Sequence, residues 1–553
     1  MTRLIDTPVL IVGGGPIGLA LALDLGWRGM PCTLIEQGDG SVDHPKIGII
    51  HVRTMEFFRR WGIAERVRKA GFPDDYELSI AFCISLAGHL LAKEPYPSIG
   101  AAPTPEWTPE RRQRCPQMWL NPLLQHAAQE QPPVSIRLRH ALESFEQHPD
   151  HVMARVRDLA TGEEVPIRAQ YMVACDGATS RIREALGIGM QGKARLSYSV
   201  GIMVEIKDLL ARIGKEEAER YIFVGPEGTW GNWTVVDGKD LWRFTILGSP
   251  ERLDLTTLDA AAWVRRALGR DDIPFEIHSV LPWRRAELIA DTFGTGRTFL
   301  AGDSSHIMSP TGGMGMNTGL GDVVDLGWKL DAVIRGWGGS GLLESYDVER
   351  RPVAIRNAAA STHNFKSWQP RESTAAILDD TAEGDALRRR IGAGLRESTR
   401  LDWESWGLQV GYRYEGSPIV IADGTKPTPD DYGSYTPTSR RGSRAPHAWL
   451  SDGRSTLDLF GRGFVLLCFE GAATRDVVAL QDAATVRAVP LTIVPVADRK
   501  IAGLYERCLV LVRPDGHVAW RGDSVPAADT VIDIARGCNA RASGKDRELA
   551  GAV

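Results

Sequence analysis

Residues Val9 to Glu36 read VLIVGGGPIGLALALDLGWRGMPCTLIE, and the rest of the chain is organised around them. Four apolar residues, Val9 to Val12, suit a fully buried strand. Gly13 to Gly18 then fits G-x-G-x-x-G, and from Pro16 leucines alternate with Ala and Gly in a helix able to lie close on a sheet. A second strand, Cys32 to Ile35, ends at Glu36, about twenty residues past the glycines. Gly13 permits the tight turn, Gly15 lets the backbone approach a pyrophosphate, and Gly18 lets the helix pack on the strand. Pro16 opens the helix, whose N-terminus offers unpaired N–H groups and partial positive charge to that pyrophosphate. Glu36 is placed to accept ribose hydroxyls, and its carboxylate repels a phosphate on the same ring. The pattern predicts a bound FAD or NAD. A secretory signal does not fit, because GGGP breaks the apolar run, which continues into Asp24 and Arg28.

At 553 residues the chain is long enough for two to four domains. A hydrophobic content of 43% and a charged content of 24% are those of a soluble globular protein. The net charge of −5, with no basic run, gives no reason to expect nucleic acid. No apolar stretch reaches the ~18 residues a membrane helix needs. Seven scattered cysteines without CxxC spacing speak against a disulfide framework or a metal site, and a reducing cytoplasm is expected.

The expected fold class is α/β, and it follows the hydrophobic pattern. A Rossmann-like dinucleotide domain spans 1–190 and 285–410. A mixed β-sheet domain for substrate, 191–284 with parts of 75–115, is inserted between its two halves. Residues 411–446, rich in Pro, Gly, Asp, Ser and Thr, read as a linker. Residues 447–541 read as a small α/β domain and 542–553 as a polar tail. A long helix is expected from Asn317 to Arg335, and helical segments to about Trp368 and from Thr374 to Leu408.

Two further signatures narrow the dinucleotide. Cys175-Asp176-Gly177-Ala178-Thr179-Ser180-Arg181 is a strand end followed by a helix start, where Asp176 and Ser180 suit capping. Gly302-Asp303-Ser304-Ser305-His306 precedes Pro310-Thr311-Gly312-Gly313-Met314-Gly315-Met316-Asn317. There Asp303 is placed to hold a polyol hydroxyl, and the Gly-rich turn presents a positive helix end. That end suits a reduced flavin, which is anionic at its pyrimidine side.

With GGGPIG, CDGATSRIR and LAGDSSHIMSPTGGMGMNTGLGD in this order, the sequence resembles the class A FAD-dependent aromatic hydroxylases. The resemblance extends through Arg53-Thr54-Met55-Glu56 and Glu349-Arg350-Arg351-Pro352. The last domain is similar to the thioredoxin-like C-terminal domain of the phenol hydroxylase branch. It lacks CxxC, so a structural or dimer-related role is expected. The resemblance implies a homodimer, bound FAD, NADH or NADPH as a transient reductant, and O2. A flavin hydroperoxide would hydroxylate a small phenolic substrate ortho to its hydroxyl, in degradation of an aromatic compound. A polycyclic polyketide hydroxylase and a non-hydroxylating flavin-binding scaffold are the alternatives. Gly13, Gly15, Gly18, Glu36, Arg53, Gln117, Asp176 and Asp303 are implied to contact FAD. Pro310 and the backbone from Gly312 to Asn317, with Gly313, Gly315 and Met316, are implied to line the isoalloxazine at the reacting centre. The family often has Pro-Arg-Ala in the loop before its Arg-Thr-Met-Glu helix. Here Pro45-Lys46-Ile47 keeps the charge in Lys46 but loses the planar fork.

His51, just after that loop, is the expected catalytic base, since it titrates in the useful range. His306 reads as structural. In the inserted sheet Tyr221, Trp230, Trp233, Trp242 and Arg243 are candidates to wall the substrate. These aromatics suit a flat ring, and no site for a strongly charged ligand is evident.

Overall fold

Strand Ile5–Val12 is the middle of the first sheet because all its neighbours are also apolar. It pairs in parallel with Cys32–Glu36 on one side and Glu164–Ala174 on the other. Val134–Leu138 and Thr298–Leu300 extend the parallel set outward. The computed structural model describes residues 4–538 other than Asp43, Pro45, Ile47 and Pro427. The expected tail, 542–553, lies outside the described residues. Helix Pro16–Trp27 is buried along almost its whole length between the sheet and helices Gln117–Gln129 and Met314–Ile334. A helix apolar on all sides is one that has no solvent face.

The second sheet runs across strands His306–Ile307, Glu276–Ala290, Met190–Glu205, Leu241–Ser249, Gly228–Val235, Arg220–Gly225, Ile80–Cys83 and Leu90–Glu94. Two of these strands are long, and the boundary expected between 284 and 285 falls inside one of them. The sheet's two faces differ because side chains alternate along each strand. Tyr221, Phe223, Trp233, Trp242 and Phe244 fill one face, under Val264 and Ala267 of helix Ala260–Leu268. The other face carries Arg220, Thr234, Arg243 and Thr245 and turns toward the dinucleotide domain.

Helix Ser345–Ser367 runs on from the dinucleotide domain, and helix Ala382–Trp403 packs against it and the second sheet. The helix expected over Thr374–Leu408 is therefore shorter, and Trp406–Val410 follows as a separate turn. The stretch expected to be a linker is not loose. Tyr412, Tyr414, Ile419, Ser439, Arg444 and Ala445 in it are buried, so it is packed chain without regular structure. The last sheet orders Leu491–Pro495, Phe464–Cys468, Leu509–Val512 and Val518–Gly522, with only the first pair parallel. Its core is shared with Trp328, Trp337 and Leu342 of the dinucleotide domain. No helix among the described residues is long and apolar enough to cross a membrane.

Candidate functional site

The glycine turn has the shape its sequence demands. Gly13 has φ of +113°, and a Cβ there would collide with the Cys175 carbonyl; at Gly18 it would collide with the Gly13 carbonyl. At Gly15 nothing stands within 4 Å of a would-be Cβ, which leaves an open cradle at the N-cap of the helix that Pro16 begins. Glu36 accepts the Gly14 N–H at 2.6 Å and the Gly38 N–H at 2.6 Å. A carboxylate has about four acceptor positions, so two remain for ribose hydroxyls. Asp176 accepts the Ile182 N–H at 3.3 Å, and its second oxygen is buried with no partner among the described residues. An open cradle and an orphaned acceptor fit a pyrophosphate and a polyol, so these residues suit FAD.

Lys46 brings Gln117 and Asp303 together. The Gln117 side-chain oxygen accepts the Lys46 N–H at 3.3 Å, and the Lys46 ammonium lies 3.5 Å from Asp303. Lys46 is largely exposed, so this pair is weak and free to open.

The second Gly-rich turn is held from three sides. Gly312 and Gly313 have φ of +82° and +67°, and Gly313 caps helix Met314–Ile334 without a side-chain partner. Pro310 precedes them, and Gly315, Met316 and Asn317 form the first helical turn. From the sheet, Arg285 donates to Ser309 Oγ at 2.6 Å and to Thr311 Oγ1 at 3.0 Å. From behind, His51 Nε2 lies 3.0 Å from the Gly312 carbonyl. The Asn317 amide donates to Ile49 O and Gly313 O and accepts from His51 N–H and Thr54 Oγ1. All four of its bonds are satisfied, so Asn317 reaches a cofactor only through its backbone.

Three expectations are corrected here. His51 is not placed as a base: burial holds it down to about 4, and as a neutral ring it donates Nε2–H to Gly312, positioning the flavin turn. Arg53 does not turn toward the FAD cradle. It is buried, pairs with Glu56 at 2.9 Å and donates to the Asp515 carbonyl at 3.0 Å. Tyr221, Trp230, Trp233 and Trp242 are 1%, 5%, 0% and 1% exposed and belong to the core behind the sheet. They pack against helix Ala260–Leu268 and do not wall a ligand. The opposite face carries Arg220 and Arg243 instead. The alternation could have shown this: in Leu241-Trp242-Arg243-Phe244 the arginine takes the face the aromatics do not. His306 is structural as read, buried against Asp322 at 2.7 Å.

Asp402 escaped notice in the sequence, since nothing local marks it. It is buried at the end of helix Ala382–Trp403 and accepts Trp368 Nε1–H at 3.0 Å, while its other oxygen has no partner among the described residues. That oxygen and the Asn364 amide flank Gly312. Burial raises the Asp402 carboxyl to about 6, against the pull of Arg220.

Comparison with known proteins matches this geometry. The FAD binding domain family matches residues 6–361, and the aromatic-ring hydroxylase C-terminal family matches 438–538. The chain belongs to the FAD-dependent aromatic hydroxylases. It is 35% identical to a putative polyketide hydroxylase of Streptomyces halstedii, over 95% of each chain. It is 33% identical to a 4-methyl-5-nitrocatechol 5-monooxygenase of a Burkholderia species, over 94% of each. The solved structure of the rebeccamycin biosynthetic enzyme RebC with reduced flavin superposes with a TM-score of 0.90. That pair is 42% identical, covering 97% of this chain and all of RebC.

Proposed function

We propose that this aromatic hydroxylase uses NADH or NADPH and O2 to hydroxylate a phenolic ring ortho to its hydroxyl, on a polycyclic substrate. The observation that carries the reading is the polar face of the second sheet, tied through Arg285 directly to the turn of Ser309 to Gly313. A flat ring between that face and the turn would lie beside the isoalloxazine. The polyketide hydroxylase and RebC relatives support a biosynthetic over a degradative role. Bound FAD would supply a ring that accepts hydride and then reacts with oxygen.

The chain's own residues supply the rest. The N-terminus of helix Met314–Ile334 favours negative charge where the turn meets the cofactor. Arg285, His51 and Asn317 fix the turn, so this dipole is already aimed before reaction. The second sheet and helices Ser345–Ser367 and Ala382–Trp403 wall the site from water, which limits wasteful loss of reduced oxygen species.

Stopped-flow reduction by NADH and by NADPH tests this, with polycyclic phenols and nitrocatechols as ligands and oxygen uptake followed in parallel. A polycyclic phenol should accelerate reduction and yield a hydroxylated product. If no phenol does either while the flavin stays bound, the reading fails and a non-hydroxylating flavoprotein remains.

A further inference from the structure

Register places two unpaired arginines in one row across the second sheet. Arg220 faces Thr234, Thr234 faces Arg243, Arg243 faces Met203, and Met203 faces Ser279. Residues paired in this way share a face, and Arg220 and Arg243 stand two strands, or about 10 Å, apart. At the end of the row His44 Nδ1 is 2.6 Å from Ser279 Oγ.

Neither arginine has an ion pair or hydrogen bond among the described residues. Their Nε atoms are buried without acceptors, yet each residue keeps partial exposure, so the guanidinium ends border open space. Arg220 is held between the rings of Trp368 and Trp403, at 5.3 and 5.1 Å. Burial, with Arg220 and Arg114 nearby, pushes Arg243 down to about 9, so it stays cationic at neutral pH.

The carboxyls near this row do not reach within 4 Å of its two arginines among the described residues. Glu219 pairs with Arg114. Asp402 makes no ion pair within 4 Å among the described residues and accepts from Trp368. Arg285 adds a third positive charge, committed to the flavin turn. Two partly desolvated, preoriented guanidiniums without an ion pair are costly unless something negative completes them.

We propose that Arg220 and Arg243, with Thr234 between them, seat a carboxylate carried by the aromatic substrate. The ring then extends along the sheet past Asn232, Thr245 and Gly201 toward the flavin turn. A side chain at Gly201 would crowd His44, with 3.3 Å between its Cβ and Nε2. The inference rests on the hydroxylase reading in one respect, that this face receives the substrate.

The test uses the FAD-loaded enzyme and three probes: a hydroxynaphthoate, its amide, and naphthol. Binding is read from the change in flavin absorbance, so it does not depend on turnover. The acid should bind at least about tenfold more tightly than the amide, as expected of charge-assisted hydrogen bonds. Arg243→Met should remove most of that preference, Arg220→Met should weaken it, and Arg243→Lys should keep part of it. FAD content and melting of each variant report whether it has folded. Equal binding of acid and amide, binding of none of the three, or a preference that survives in both Met variants overturns the carboxylate seat. An acid preference without oxygenated product, with either NADH or NADPH, upholds the seat and sinks the hydroxylase reading. Hydroxylation of naphthol without any acid preference does the reverse.

Discussion

At pH 7 the buried His51 carries no charge, and His447 and His517 share its condition; burial holds all three down to about 4. In the unfolded chain each titrates near 6.5, so between 6.5 and 4 the unfolded state binds protons that the native state refuses. Stability is lost as pH falls through that window, at about 1.4 kcal/mol per pH unit per histidine. Asp402 acts in the opposite sense. Raised from 3.8 to about 6, it takes up a proton in the native state first and offsets one histidine. The three histidines outweigh it, so these four groups together destabilise the fold as pH falls between about 6 and 4. Urea midpoints at pH 7, 6 and 5 check this; a flat profile would mean that these rings are solvated. A narrower prediction concerns His51 alone. His51→Gln keeps a donor for the Gly312 carbonyl and should retain most of the flavin reduction rate, whereas His51→Leu should slow it. Neither variant should remove a pH-dependent limb between pH 5 and 8, as loss of a base would.

Strands and turns divide what is legible in this sequence from what is not. The glycine motifs could be read because their constraints are local. Gly13 and Gly18 are required by carbonyls that any such turn brings close, and Gly312 and Gly313 by positive φ. Gly13→Ala should therefore yield protein without FAD, seen as loss of yellow colour on purification, whatever its residual fold. The aromatics were misread because their number was counted and their parity was not. Trp233 pairs across strands with Tyr221 and Phe244 on the helix-covered face. Trp233→Ala should cost about 3–5 kcal/mol of stability as a core cavity. Its KM for any accepted phenol should be unchanged once folded; a raised KM with unchanged melting would restore the aromatic wall. Arg53 was beyond sequence reasoning for a different reason, since the carbonyl it holds lies 462 residues further along the chain.

Over the whole molecule, the C-terminal domain is joined by charge as well as by apolar packing. Arg513 pairs with Glu349 and Asp325, and Lys329 bridges the same two carboxylates at 2.6 and 2.7 Å, all without solvent exposure. Arg444 and Arg53 converge on Glu56 in the same way. Removing one partner of such a set leaves a buried charge uncompensated, so Glu56→Gln should cost about 3–5 kcal/mol. Because Trp328, Trp337 and Leu342 lie in the same core as Phe464 and Leu466, calorimetry should show one transition for the whole chain. Two separate transitions would show that the domains unfold independently.

The same junction limits how natural or engineered chimaeras of such enzymes can be assembled. A C-terminal domain taken from another protein replaces Arg444, Arg513 and Asp515 with its own residues, whereas Glu56, Asp325, Lys329 and Glu349 stay with the recipient. A crossover near residue 411 or 438 separates the two halves of one ionic lock. Recombinants that exchange both halves together should fold, while those that receive a domain without the matching arginines should fail even where their apolar surfaces match.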